Sequence, residues 1–115
     1  MSITVFSQQT SPKTEKDISA DIVLGEPRQF VEMMYSNSHD TLKSGVWECS
    51  AGTFRANYHG IVEFCHILEG EATISISLGQ TVIVRAWDGF VLDERLETEW
   101  TVDKFIKKQF FICAA

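Results

Sequence analysis

The sequence predicts an all-β domain of short antiparallel strands, and three observations carry that prediction. From Lys43 onward apolar and polar residues alternate with a period of two. The alternating runs are only a few residues long and are separated by brief turns. Nowhere in that stretch does the apolar spacing of 3.6 residues expected of a helix recur. Such a series suits a sandwich or a small barrel.

The elements follow in order. Ile3 to Phe6 reads as a short isolated strand, and the polar segment Ser7 to Asp17, which contains Pro12, reads as a linker. Residues 1–23 are therefore expected to be an arm and linker, with the domain proper at 24–115. Gly25-Glu26-Pro27 marks a turn, Phe30 to Tyr35 a strand in which Met33 and Met34 pack, and Ser36 to Asp40 a loop. Strands are expected at Gly45 to Cys49, Thr53 to His59 and Ile61 to Leu68. The clearest alternation, Ala72 to Leu78, meets Gly79-Gln80 and then Thr81 to Trp87, the pattern of a hairpin. Gly89 to Leu92, Thr98 to Val102 and Phe105 to Ile112 complete the series.

Composition narrows the function. The chain has 115 residues, enough for one domain, and its 16 acidic against 10 basic residues give a formal charge of -6. That charge repels phosphate backbones and anionic headgroups, so neither nucleic acid nor a membrane is an expected partner. Cys49, Cys65 and Cys113 are an odd set without a CxxC pair, and the start has no basic segment followed by an apolar core. A reducing cytoplasm is the expected location.

Two segments carry a resemblance. Glu63-Phe64-Cys65-His66-Ile67-Leu68-Glu69-Gly70-Glu71, with Gly45-Val46-Trp47-Glu48-Cys49 upstream, resembles the small cupins of the DUF861 type, grouped with ethanolamine-utilisation protein Q and the ureidoglycine aminohydrolase cupin domain. The likeness runs from about Leu24 to Ile112 and includes Trp87 to Leu92, Trp100 to Val102 and Lys108. It implies an antiparallel double-stranded β-helix, the jelly-roll barrel. Of the metal-binding pattern of cupins, His59, Glu63 and Gly70 stand at the required spacings. Asn57 replaces the first His and Thr98 the last, while Trp87, Asp93 and Arg95 replace Gly, Pro and a second Gly.

Arg55, Asn57 and His59 alternate along one strand, which places them on one face, and a hairpin brings Glu63 opposite them. The resemblance sets Asn57, His59, Glu63 and Thr98 at one level inside the barrel. His59 and Glu63 are the tentative acid/base pair and the two strong ligands available should a divalent metal bind. Two such ligands hold a transition metal weakly, so no cofactor is expected to be tightly held. Without a metal, Glu63 must pair with Arg55, Arg85 or Lys108, or take up a proton. Arg55, Asn57, Cys65, Thr98 and Trp100 are candidate ligand contacts. Cys49 and Cys65 read first as core residues, Trp47, Trp87 and Trp100 as packing with one of them walling the pocket, and His66 as an outer-face residue.

Asp93 to Glu99 reads as a solvated loop at the barrel mouth. Two functions stay open: binding of a small polar molecule at a degenerate metal site, or a hydrolase or isomerase working through His59 and Glu63 with or without a metal. Exposed sheet edges and the apolar Ile3 to Phe6 segment predict a two-fold homodimer.

Overall fold

In a computed structural model the protein is described over residues 1–115, the Leu78 side chain excepted. Eight strands form it: β1 (Thr14–Lys16), β2 (Ile22–Leu24), β3 (Gln29–Ser36), β4 (Leu42–Asn57), β5 (Ile61–Ile76), β6 (Thr81–Arg85), β7 (Gly89–Leu92) and β8 (Glu97–Ala114). All pair antiparallel in the order β1-β3-β4-β8-β5-β6, with β2 added to β4 and β7 to β5. No α-helix occurs among the described residues, and the architecture is the expected jelly roll.

The short strands expected from the sequence fuse into three long ones. β4 and β8 run side by side from the Leu42–Cys113 pair to the Asn57–Glu97 pair, with one register shift between Ser50 and Gly52. β5 follows β8 with shifts at Ile67/Glu69 and Gly70/Thr73. Such bulges bend a strand without ending it, so the interruptions in the alternation are corners rather than breaks. At Gly70 the backbone has φ +79°, and a Cβ would collide with the Phe105 carbonyl oxygen. Only glycine fits that corner.

The hairpin is found where the alternation placed it, with Glu71–Ser75 of β5 against Thr81–Arg85 of β6. β7 has the expected bounds. The turn before β4 is held by Asn37, whose Oδ1 accepts from the Thr41 and Leu42 amides at 2.9 and 3.1 Å.

The N-terminal residues differ from expectation. Ile3 to Phe6 is not a strand; Phe6–Gln8 forms a single 3₁₀ turn, and Phe6 lies beside Phe64, His66 and Phe111 on the outer face. In the segment read as linker, Thr14–Lys16 pairs with Val31–Gln29, and Ile18 is buried in the core. The polar composition of that segment concealed its backbone pairing, which needs no apolar side chain. The ion pair of Arg28 with Glu15, at 2.8 Å, joins its edge to the chain before β3.

The core gathers Trp47, Cys49, Phe54, Tyr58, Cys65, Ile67, Ile74, Trp100, Val102, Ile106 and Phe110, mostly from β4, β5 and β8. Trp47, Phe54 and Trp100 form an aromatic cluster, with Phe54 stacked on Trp100 at 6.0 Å and Trp47 edge-on to it at 5.7 Å. Trp87 departs from the packing role expected of it: it is exposed, with its ring beside that of His66 at 5.8 Å. His66 is on the outer side of β5, as its alternation with Glu63 requires.

Trp87 and Arg95 replace glycines of the family pattern, and both keep a left-handed backbone, at φ +77° and +69°. An L-residue there costs about 1–2 kcal/mol, offset in part by the extra unfolded-state entropy of glycine. Arg95→Gly, at an exposed turn, is therefore expected to stabilise the protein by up to about 1 kcal/mol. A higher urea midpoint checks this.

Candidate functional site

A cavity of about 930 Å³ opens into the barrel. Trp47, Phe54, Tyr58 and Trp100 wall it, Glu63 and Lys108 lie within it, and Lys16, Asp21, Arg55, Asn57, Glu97 and Glu99 contribute to its lining. Its centre is an ion pair: Lys108 Nζ donates to Glu63 Oε2 at 2.8 Å, both side chains being less than a tenth exposed. The Lys108 ammonium also lies 4.5 Å from the centre of the Trp47 ring and 4.9 Å from that of Trp100, within cation–π range.

Strand register produces this meeting of residues 45 positions apart. Glu63 pairs with Ile112 and Ile67 with Lys108 on adjacent β5 and β8, and Trp47 pairs with Lys108 from β4. Alternation then sends Glu63, Cys65 and Ile67 inward from β5, and Thr98, Trp100, Ile106, Lys108 and Phe110 inward from β8. Of the three cations named as partners for Glu63, the structure selects Lys108; Arg85 pairs with Glu71 and Arg55 lies near Glu99.

Hydrogen bonds fix the surroundings. Trp47 Nε1 donates to Gln29 Oε1 at 2.9 Å, and Trp100 Nε1 donates to Thr98 Oγ1 at 3.1 Å, whose hydroxyl donates to the Ala56 carbonyl at 2.9 Å. Cys65 Sγ lies 3.2 Å from Glu63 Oε2, so Cys65 shares the Glu63 face as its spacing indicates.

His59 is not in this group. It stands in the turn between β4 and β5, exposed, with Nε2 3.7 Å from Glu97 Oε1. The expected sharing of an interior face by Arg55, Asn57 and His59 is corrected by the bulge at Ser50/Gly52. Beyond it the inward residues of β4 are Phe54 and Ala56, followed by Tyr58, whereas Arg55 and Asn57 are exposed at the cavity rim. The apolar members of the alternation already carried that phase. Thr98 and Trp100 are inside as expected, and Tyr58, Gln29, Trp47 and Lys108 join them.

This donor set does not fit a divalent metal. Glu63 is engaged by an ammonium that would repel a second cation, the Thr98 hydroxyl is occupied, and His59 faces outward. Among the described residues no three of His, Cys, Asp and Glu converge.

Burial governs the protonation of the pocket. It pushes the thiols of Cys49 and Cys65 and the phenol of Tyr58 each up to about 12. Burial alone would lower the pKa of Lys108, but the Glu63 carboxylate outweighs it and holds the pKa above the ordinary lysine value. All four groups keep their protons longer in the folded chain than in the unfolded one. Their contribution is thus present at neutral pH and lost as pH climbs, first as unfolded thiols ionise near 9.0 and then toward about 12. Urea midpoints are expected to fall between about pH 9 and 12, less steeply in Cys65→Ala.

Comparisons with known proteins agree with the fold. The chain resembles the solved structure of the Clostridium difficile EutQ protein at 14% identity and a TM-score of 0.70, covering 88% of this chain and 76% of that one. It resembles a predicted oxalate decarboxylase from Thermotoga maritima at 13% identity and 0.72, over 99% of this chain and 100% of that one. A DUF861-family protein of unknown function from Pseudomonas syringae matches at 19% and 0.76, over 91% of this chain but 45% of that one. At such identities the likeness shows the fold. No curated protein matches the sequence. The family model for the EutQ-like cupin domain matches residues 37–110, from the turn before β4 into β8, and the chain accordingly belongs to the EutQ-like cupin family.

Proposed function

We propose that the protein binds a small polar metabolite in the barrel cavity, with the Lys108–Glu63 pair as the polar anchor and Trp47 and Trp100 as walls. The observation that carries this reading is the buried ion pair facing a cavity of about 930 Å³. A desolvated ion pair is a weak source of stability, since an apolar pair of the same shape would serve the fold as well. Its placement against open space is suited to a ligand. The cavity volume is within the range of small-molecule sites.

The catalytic alternative built on His59 and Glu63 has less support. His59 is outside the cavity, Lys108 holds its proton and so is a poor base, and the thiols nearest the site are protonated at neutral pH. Free Cys49, Cys65 and Cys113 accord with a reducing cytoplasm as the place of action. Exposed Phe64, Val91 and Phe111 support a homodimer, for which light scattering should give twice the chain mass.

A thermal-shift screen of small polar metabolites tests the binding reading. A ligand at 100 times its Kd adds about 2.7 kcal/mol to stability. At least one compound is expected to raise the midpoint, equally in wild type and in His59→Ala. No responding compound, or a response lost in His59→Ala, would overturn the reading.

A further inference from the structure

The hydrogen-bonding capacity left inside the cavity points to a class of ligand. Glu63 Oε2 receives both Lys108 and Cys65, whereas Oε1 has no hydrogen-bond partner among the described residues. Among the described residues every fully buried side-chain nitrogen or oxygen has a partner, so Oε1 opens on the cavity that Glu63 lines. It is a free acceptor. Lys108 has three N–H donors; one goes to Glu63, and the ammonium otherwise lies against the Trp47 and Trp100 rings. Indole faces are weak acceptors that a ligand oxygen can replace. The site thus presents an acceptor and a donor side by side.

The charges of the pair decide what can use them. An anion approaching Lys108 meets the Glu63 carboxylate 2.8 Å from that ammonium, and a cation approaching Glu63 meets the ammonium. At such spacing attraction and repulsion nearly cancel. The cation–π position over both indoles is already filled by Lys108. At the rim Lys16, Lys43 and Arg55 are matched by Asp21, Glu97 and Glu99, so the entrance favours neither sign.

We propose that the cavity takes an uncharged ligand group carrying a hydrogen-bond donor beside an acceptor, as in an amide or a hydroxy-carbonyl, in preference to a carboxylate or an ammonium. This rests on the reading that the cavity binds a small molecule. The donor meets Glu63 Oε1, the acceptor meets Lys108 Nζ, and the remainder of the ligand packs on the aromatic walls. An amide so bound satisfies both groups without separating the pair.

Benzamide, benzoate and benzylammonium, alike in size and different in charge, test this at pH 7. The indole N–H resonances of Trp47 and Trp100 report the cavity, and that of exposed Trp87 is the internal control. Benzamide is expected to shift the two cavity resonances with at least about tenfold lower Kd than the other two, leaving Trp87 unmoved. Benzoate or benzylammonium binding as tightly as benzamide would overturn the ligand class and leave the binding reading intact. No shift with any probe at 20-fold molar excess up to the solubility of benzamide would overturn both. In Glu63→Gln the Lys108 charge loses its counter-ion, and the preference should pass to benzoate. Should that variant not fold, the wild-type comparison decides alone.

Discussion

Lys108→Met is expected to lower the stability of the protein by about 3–5 kcal/mol, the usual cost of leaving one member of a buried ion pair uncompensated. Glu63 would lose its partner while still less than a tenth exposed, and would have to take up a proton or draw water into the barrel. Glu63→Gln should cost less, because the amide oxygen still accepts from the ammonium, though it no longer balances the charge. The double variant Lys108→Met/Glu63→Leu removes both charges and is expected to recover most of the loss. Urea unfolding of the three variants measures each step. A loss below about 1 kcal/mol in Lys108→Met would show that the pair is solvated through the cavity and is not an anchor in a dry site.

Trp100→Ala should cost a similar amount, about 3–5 kcal/mol, by a different route. The ring is 1% exposed, stacks on Phe54 at 6.0 Å, lies 5.7 Å from Trp47 and 6.3 Å from Phe90, and supports the Lys108 ammonium. Truncation removes those contacts and merges the space left behind with the existing cavity, so the walls can only partly collapse into it. A domain of this size is worth about 5–15 kcal/mol in total, so the variant is expected to be close to unfolding at 37 °C. Trp87→Ala, which removes a ring 76% exposed, is the control and should change stability by less than about 0.5 kcal/mol. Calorimetric midpoints compare them directly. Equal effects at positions 87 and 100 would contradict the packing described.

These residues show how far local pattern reaches. Ala72 to Ser75 and Thr81 to Arg85 announced their hairpin because the pairing partners are close in sequence and the turn between them is short. Thr98, Trp100 and Val102 turn inward together along one strand, whereas the family pattern by itself implies an interior place only for Thr98. The motif around Glu63 likewise placed that residue inside. The motif spacing predicts an inner face for His59, and there the structure differs. The apolar set Phe54, Ala56 and Tyr58 alternates with it and takes the interior.

The sequence by itself determined the strand-rich class and the hairpin, because each depends on residue type and on neighbours a few positions away. Only the tertiary structure decided that β4, β5 and β8 run continuously through their bulges, that residues Thr14–Lys16 add to the sheet, and that Lys108 is the partner of Glu63. The physical reason is register. A single bulge exchanges the two faces of everything beyond it, and the backbone register between β5 and β8, which no side chain announces, brings together side chains 45 positions apart.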